Sequence, residues 1–305
     1  MRMQFNRIVC ATDFSDYSNR TVDYGIALAK EFDAKLYVCH VIDLSSVAIY
    51  GEFQLDPVGL QNRIMKDASD QLEELIGEKH KEWEPLITVG HAADEISRIV
   101  EEKSVDLVIT ATRGRSGLKR LILGSVTERL MRTLTCPLLV VHSPNKEFVN
   151  SVDHEIRINR ILVGCDFSPD SSLAFEYGLS LAQEFESELH LAHVIETAIY
   201  QELHKTEAPV EEEIQQEIHD RLTQKLLDMV PEEARNWCTP QTSILDGHAY
   251  EELVKYAEQH NIGMIVLGAR GHGLVKSLLL GSTTDRVIRR APCPVLSVSA
   301  KVQND

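Results

Sequence analysis

Two stretches of this 305-residue chain carry glycines, basic residues and a Gly-Ser pair at the same internal spacing. The first runs from Ala111 through Arg113 and Gly114 to Gly124 and Ser125; the second runs from Gly268 through Arg270 and Gly271 to Gly281 and Ser282. Glycine lets a backbone come close to a ligand, and a Gly-Ser pair that opens an amphipathic stretch offers free amides to an anion. Arg113, Arg115, Lys119 and Arg120, and then Arg270, His272 and Lys276, place positive charge beside both loops. One such phrase alone suits a turn and a helix cap equally well, but two with the same spacing favour a ligand. Ser125 is followed three residues later by Glu128, and Ser282 by Asp285, a capping-box spacing. This predicts Ser125 as the cap of a helix that begins at Val126, and Ser282 as the cap of one that begins at Thr283.

Asp13 and Asp166 each follow a short apolar run. Either could accept hydrogen bonds from a ribose or an adenine, or cap the helix that comes next. Val41 and Val194 end matched apolar runs and would act through their backbone N–H and C=O groups. His40 with His193, and His91 with His248, read as strand-end and turn histidines rather than metal ligands, because the members of each pair lie in different halves of the chain. Glu211-Glu212-Glu213 reads as a solvated helix start. The sequence has no G-x-x-x-x-G-K-[ST] phosphate loop, no G-x-S-x-G elbow and no kinase loop set. The second glycine cluster runs G-x-x-G-x-G after a late strand, which is not a dinucleotide fingerprint.

The elements that must position these residues also occur twice. Cys10 to Ser15 aligns with Val163 to Ser168 at an offset of 153, and so does Leu36 to Ile42 with Leu189 to Ile195. From Gly90 and Gly247 onward, through Cys136-Pro137 and Cys293-Pro294, the offset is 157. A period this long marks duplicated domains rather than short stacked repeats. In each half, apolar runs at Arg7–Thr12, Leu36–Ile42, Leu86–Val89, Leu107–Thr110 and Leu138–His142, or at Arg160–Gly164, Leu189–Ile195, Thr242–Leu245, Met264–Leu267 and Val295–Ser299, predict strands. Helical spacing fills the gaps between them, so each half is expected to be a doubly wound parallel α/β sheet. Ligands of such sheets sit beyond the carboxyl ends of the strands, where the strand order reverses. Asp13, Val41 and the loop from Ala111 would therefore converge, as would Asp166, Val194 and the loop from Gly268. The polar stretch from Ser143 to Glu155 reads as the linker.

Composition sets the outer limits. The length suits two domains, each able to bury its own core. The net charge of −16 argues against nucleic acid as a partner, although not against a single nucleotide. No apolar run approaches a membrane span, and Met1–Arg7 has no secretory hydrophobic region, so the cytoplasm is the expected location and a membrane is not. The six cysteines form no C-x-x-C pair, and Cys10, Cys39, Cys136 and Cys293 lie in or beside apolar runs, as buried small hydrophobes do.

The phrase G-x-x-G, nine residues, then G-[ST], with an Asp after the first strand and with Ser-Val-Thr-Glu and Cys-Pro-[VL] segments, resembles the ATP-binding class of universal stress proteins. The resemblance covers nearly the whole chain twice. It implies two tandem Rossmann-like domains of the adenine-nucleotide alpha-hydrolase-like type, at residues 1–144 and 158–305, with a linker at 145–157. It implies adenine and ribose contacts at Asp13 and Val41, phosphate contacts at Gly114, Gly124 and Ser125, and further ATP-binding positions at Ala11, Thr12, Ala111, Arg113 and Val126. In the second domain it implies adenine and ribose contacts at Asp166 and Val194, phosphate contacts at Gly271, Gly281 and Ser282, and further ATP-binding positions at Gly164, Cys165, Gly268, Arg270 and Thr283. Gly268 matches the first glycine of the pattern, whereas Ala111 departs from it. Its extra methyl is expected to crowd the ribose or to exclude a positive φ. The resemblance further implies ATP or another adenine nucleotide with Mg2+, a pairing of the two domains as an intramolecular pseudo-dimer through the last strands, and possible homodimers. Three functions compete: a nucleotide-responsive stress or signalling module with at most slow hydrolysis, a slow ATPase or self-phosphorylating enzyme that uses Ser125 or Ser282, and a nucleotide-free partner-binding module.

Overall fold

The computed structural model describes residues 3–43, 57–77, 82–112, 123–142, 148–149, 155–196, 211–271 and 281–300. Two compact units divide the chain, one built on Gln4–Ser143 and the other on Arg157–Asp305.

In the first unit the order is β1 (Arg7–Ala11), α1 (Asp16–Phe32), β2 (Lys35–Ile42), α2 (Pro57–Ile76), β3 (Trp83–Val89), α3 (Ala92–Lys103), β4 (Leu107–Ala111), α4 (Ser125–Thr133) and β5 (Leu138–Val141). The strands are parallel, and β1 pairs with both β2 and β4, so they lie in the order β3-β2-β1-β4-β5. Right-handed crossovers put α1 and α2 on one face and α3 and α4, which touch each other, on the other. A sheet covered on both faces needs continuous apolar strands. Accordingly Ile8, Val9 and Cys10 of β1 are fully buried, and all five residues of β4 are buried.

The second unit repeats this design. It consists of β6 (Arg160–Gly164), α5 (Pro169–Glu184), β7 (Glu188–Ile195), α6 (Glu211–Asp228), a 3-10 helix (Glu232–Asn236), β8 (Gln241–Asp246), α7 (Ala249–Gln259), β9 (Met264–Gly268), α8 (Ser282–Arg290) and β10 (Val295–Val298). Its strands lie in the order β8-β7-β6-β9-β10. Both units are thus doubly wound α/β sheets, as the periodicity predicts.

The differences from the sequence reading have local causes. β3 begins at Trp83, three residues before the predicted start at Leu86, and it contains Glu84 and Pro85. An edge strand tolerates proline because one of its sides needs no donors. The 3-10 helix was not anticipated. Within the stretch read as a polar linker, Phe148 and Val149 are buried, and Val149 forms an antiparallel bridge with Ile156.

Glycine sets how closely the first helix of each unit approaches its sheet. A Cβ on Gly25 would lie 2.1 Å from Cys10 Sγ, and one on the matched Gly178 would lie 2.3 Å from Val163 Cγ2. Both helices therefore cross their first strand at a glycine.

Candidate functional site

In a doubly wound sheet a ligand crevice is expected where the strand order reverses, which here is between β1 and β4 and between β6 and β9. The first turn beyond β1 is built by short polar side chains. Asp13 Oδ1 accepts from Ser15 N (3.0 Å), Ser15 Oγ (2.6 Å) and Ser18 Oγ (2.6 Å). Thr12 Oγ1 accepts from Phe14 N and donates to Asn19 Oδ1. In the second unit Asp166 Oδ1 accepts from Ser168 N at 2.9 Å. Neither aspartate is the helix cap. That role falls to Ser15 and Ser168, whose hydroxyls accept from Ser18 N and Ser171 N. The aspartates instead close the turn before the cap and are left beside the crevice.

This turn holds Phe14 and Phe167 at φ 64° and 63°. Left-handed backbone at a residue with a bulky side chain costs about 1–2 kcal/mol. In return each ring packs on a histidine of the neighbouring strand, Phe14 on His40 (centroids 4.3 Å) and Phe167 on His193 (4.8 Å). His40 Nδ1 donates to the Thr12 carbonyl at 2.9 Å, and His193 Nδ1 donates to the Cys165 carbonyl at 2.6 Å. Burial lowers the pKa of His193, opposed by that hydrogen bond to Cys165. The strand-end histidines are thus braces of the aspartate turn. Lys225 of α6 stands over the Phe167 ring at 3.8 Å. Nothing in the sequence reading pointed to this phenylalanine–histidine pair, although the repeated Asp-Phe-Ser and His-Val phrases carried it.

Val41 and Val194 are placed by register. Thr12 N donates to Cys39 O, and Gly90 N donates to Ile42 O. Because bonding alternates along a parallel strand, Val41 presents its N–H and C=O toward the side where β1 has already ended. Cys165 N to Ala192 O and Gly247 N to Ile195 O give Val194 the same aspect.

The loop side of the crevice is described at its two ends. Arg113 and Gly114, with Arg115, Lys119, Arg120, His272 and Lys276, lie outside the described residues. Gly124 N donates to Thr112 O (2.8 Å), and Gly281 N donates to Ala269 O (2.9 Å), so the far end of each loop returns to the strand that launched it. Thr127 Oγ1 and Thr284 Oγ1 fasten α4 and α8 to the carbonyls of Ala111 and Gly268.

The expected serine caps are corrected here. The N-caps are Gly124 and Gly281, and neither helix has a side-chain cap bond. Glu128 N and Asp285 N bond to the two glycine carbonyls, which makes Ser125 and Ser282 the first helical residues. The side chains of Glu128 and Asp285 reach forward one turn, to Arg132 and Arg289, rather than back toward a cap. Ser125 and Ser282 are exposed, and Val126 and Thr283 are half-buried behind them. First-turn amides without a side-chain acceptor, at the positive end of the helix dipole, suit an anion.

In the second unit the two sides of the crevice meet. Asp166 Oδ2 lies 2.6 Å from where a Cβ of Gly271 would stand, so the aspartate carboxylate rests against the start of the glycine loop. The reason expected for Gly268 is also corrected. Its φ lies outside the positive range, and a Cβ there would come within 2.7–2.9 Å of Asp170 C, Ser171 N and Asp170 Cβ. The missing side chain makes room for the start of α5. Ala111, the matched residue, is buried with its methyl in place.

Cys10, Cys39, Cys165, Cys238 and Cys293 are buried, and burial pushes the thiols of Cys39 and Cys165 up to about 12. Such thiols are inert at neutral pH. His91 and His248 occupy the N-cap positions of α3 and α7. Glu213 is exposed on α6, and the side chains of Glu211 and Glu212 lie outside the described residues.

Two parallel sheets with the same strand order, each with an aspartate turn and a glycine-capped helix at its reversal point, define a tandem doubly wound, Rossmann-like α/β protein. The profile of the universal stress protein family matches residues 4–142 and 157–299, and the chain belongs to that family. It is 35% identical over 148 residues to universal stress protein MJ0531 of Methanocaldococcus jannaschii, covering 47% of this chain and 85% of that protein. Universal stress protein Slr1230 of Synechocystis is 24% identical over 317 residues, which is 95% of this chain and 98% of its own. The crystal structure of a universal stress protein from Archaeoglobus fulgidus matches with a TM-score of 0.68 at 21% identity, over 97% of this chain and 99% of that one, a likeness of fold. Among the described residues no helix is long and apolar enough to cross a membrane.

Proposed function

We propose that this chain is a cytoplasmic, nucleotide-responsive stress or signalling module that binds ATP or another adenine nucleotide in each domain and hydrolyses it slowly at most. The observation that carries this reading is the contact of Asp166 with the loop start at Gly271, opposite the vacated backbone edge of Val194. A carboxylate oxygen and a strand-edge N–H and C=O supply the hydrogen bonds that a ribose and the edge of an adenine require. Uncapped first-turn amides at Ser282 and Thr283 suit the phosphates. The residues of the second domain therefore fit the group. In the first domain Asp13, Val41, Gly124, Ser125 and Val126 hold the same places, with Ala11 and Thr12 beneath the turn.

In this reading the nucleotide brings Mg2+ on its phosphates, and the chain's own residues bind and orient. Asp13 and Asp166 are acceptors fixed in place by their own turns. Gly114 and Gly271, with Arg113 and Arg270, would follow the phosphates along the loop.

The test is a calorimetric titration of the nucleotide-stripped full chain with Mg-ATP. Two sites per chain are expected, and Asp166→Ala should remove one of them. Failure to bind at millimolar ATP would overturn the reading and leave a partner-binding module.

A further inference from the structure

Among the differences between the two crevices is a buried carboxylate. Asp170, in the first turn of α5, is only 6% exposed. Its Oδ2 accepts from the backbone N–H of Arg270 at 3.0 Å, and its Oδ1 accepts from that of Ala300 at 3.0 Å. Arg270 is the residue before Gly271, and Ala300 follows the end of β10. One carboxylate thus ties together the start of α5, the start of the glycine loop and the chain leaving the last strand. The Arg270 guanidinium continues the tie by donating to Ser299 Oγ at 2.8 Å.

The clamp depends on Gly268. The backbone of Asp170 and Ser171 occupies the space that a Gly268 side chain would fill. This close approach brings the carboxylate within reach of Arg270. In the first domain the position matched to Gly268 is Ala111, and the position matched to Asp170 is Tyr17, which has no carboxylate. Gly268 and Asp170 therefore form a pair whose two members are both replaced in the other copy.

We propose that Asp170 is a positioning residue of the second nucleotide site. It holds the Arg270–Gly271 backbone in place before the ligand arrives, so the second domain binds phosphate-bearing adenylates more tightly than the first. This rests on the nucleotide reading above. Pre-ordering a binding segment raises affinity by removing the cost of ordering it on binding. Because the held segment is the one assigned to phosphates, the gain should appear with ATP and not with adenosine.

The experiment titrates the full chain separately with Mg-ATP and with adenosine. The wild type should show two ATP affinities, the tighter one lost in Asp166→Ala. In Asp170→Asn an amide donor faces one of the two backbone N–H groups. That site should weaken for ATP by about tenfold, the equivalent of one hydrogen bond to a charged group, while adenosine binding stays unchanged. Gly268→Ala keeps the carboxylate but pushes α5 away, and should give the same split. Amide exchange at Arg270 and Ala300 should accelerate in both variants. Unchanged ATP affinity in both, or equal losses for ATP and adenosine, would overturn the positioning role while leaving nucleotide binding intact. A wild type that binds neither ligand would overturn both readings together.

Discussion

His190 shows how one side chain can make two similar domains respond differently. It is buried in β7, its Nδ1 lies 2.9 Å from the Tyr256 hydroxyl, and its Nε2 lies 3.6 Å from Glu188 Oε2. The His260 ring packs at 5.9 Å, and Arg160 bonds to the same Glu188. Burial lowers the pKa of His190 below its usual 6.5, and Glu188 opposes this only in part. The unfolded chain therefore takes up this proton at a higher pH than the folded one does. The stability contribution is complete above pH 6.5 and is lost as pH falls through the folded value. His193 is shifted the same way, with burial as the leading cause. In the first domain the residue matched to His190 is Tyr37, flanked by Lys35 and Lys103 at 5.0 and 4.9 Å from its ring. We predict that the urea midpoint of the second domain falls between pH 7.5 and 5.5, and that His190→Tyr flattens much of that slope. An unchanged midpoint across this range would refute the prediction. At this scale the residue types of the site were legible in the sequence, because Asp13, Asp166, Val41 and Val194 stand where a parallel strand ends. Which atom bonds to which was not. Ser125 and Glu128 had the spacing of a capping box, yet Arg132 one turn on captured the glutamate. The role of Gly268 depended on the path of α5, which no local pattern encodes.

Elements follow from periodicity wherever both faces of a strand are buried, and this is why the inner strands of each sheet were readable almost to the residue. The edge strands β3 and β8 were read short because their half-exposed residues break the apolar run. The close crossing of α1 over β1, and of α5 over β6, left no periodic trace beyond a matched glycine. Gly178→Ala would normally favour a helix, by about 0.4–1 kcal/mol. Here the new Cβ meets Val163 Cγ2 at 2.3 Å, and forcing a methyl into a packed core costs about 1–3 kcal/mol. The clash wins, and we expect a net loss of stability in chemical denaturation; a stabilised variant would show that α5 can lift off β6 freely. Ser168→Ala removes the hydroxyl that accepts from Ser171 N. It should cost about 1 kcal/mol, and Ser168→Gly should cost less, since glycine is tolerated at a cap.

Across the whole molecule, each unit carries its own parallel sheet and its own buried strands, so each has the means to fold on its own core. Unfolding of the full chain should then depart from a single two-state transition. The changes argued above mark which transition is which. Lowering the pH should move the one that contains His190, and Gly178→Ala should move the same one, whereas Gly25→Ala should move the other. Effects placed in different units should add, because distant sites without shared partners do so within about 0.5 kcal/mol. ATP gives a third, independent label. A ligand bound only by the folded state stabilises it by about 2.7 kcal/mol at a hundred times its Kd. If the Asp170 clamp makes the second site the tighter one, then low concentrations of Mg-ATP should raise the pH-sensitive transition first and the other only at higher concentration. Scanning calorimetry at pH 7.5 and 5.5, across an ATP series, reads both labels at once. A single transition under every condition would mean that the two units unfold as one, and an ATP response confined to the pH-insensitive transition would assign the tighter site to the first domain.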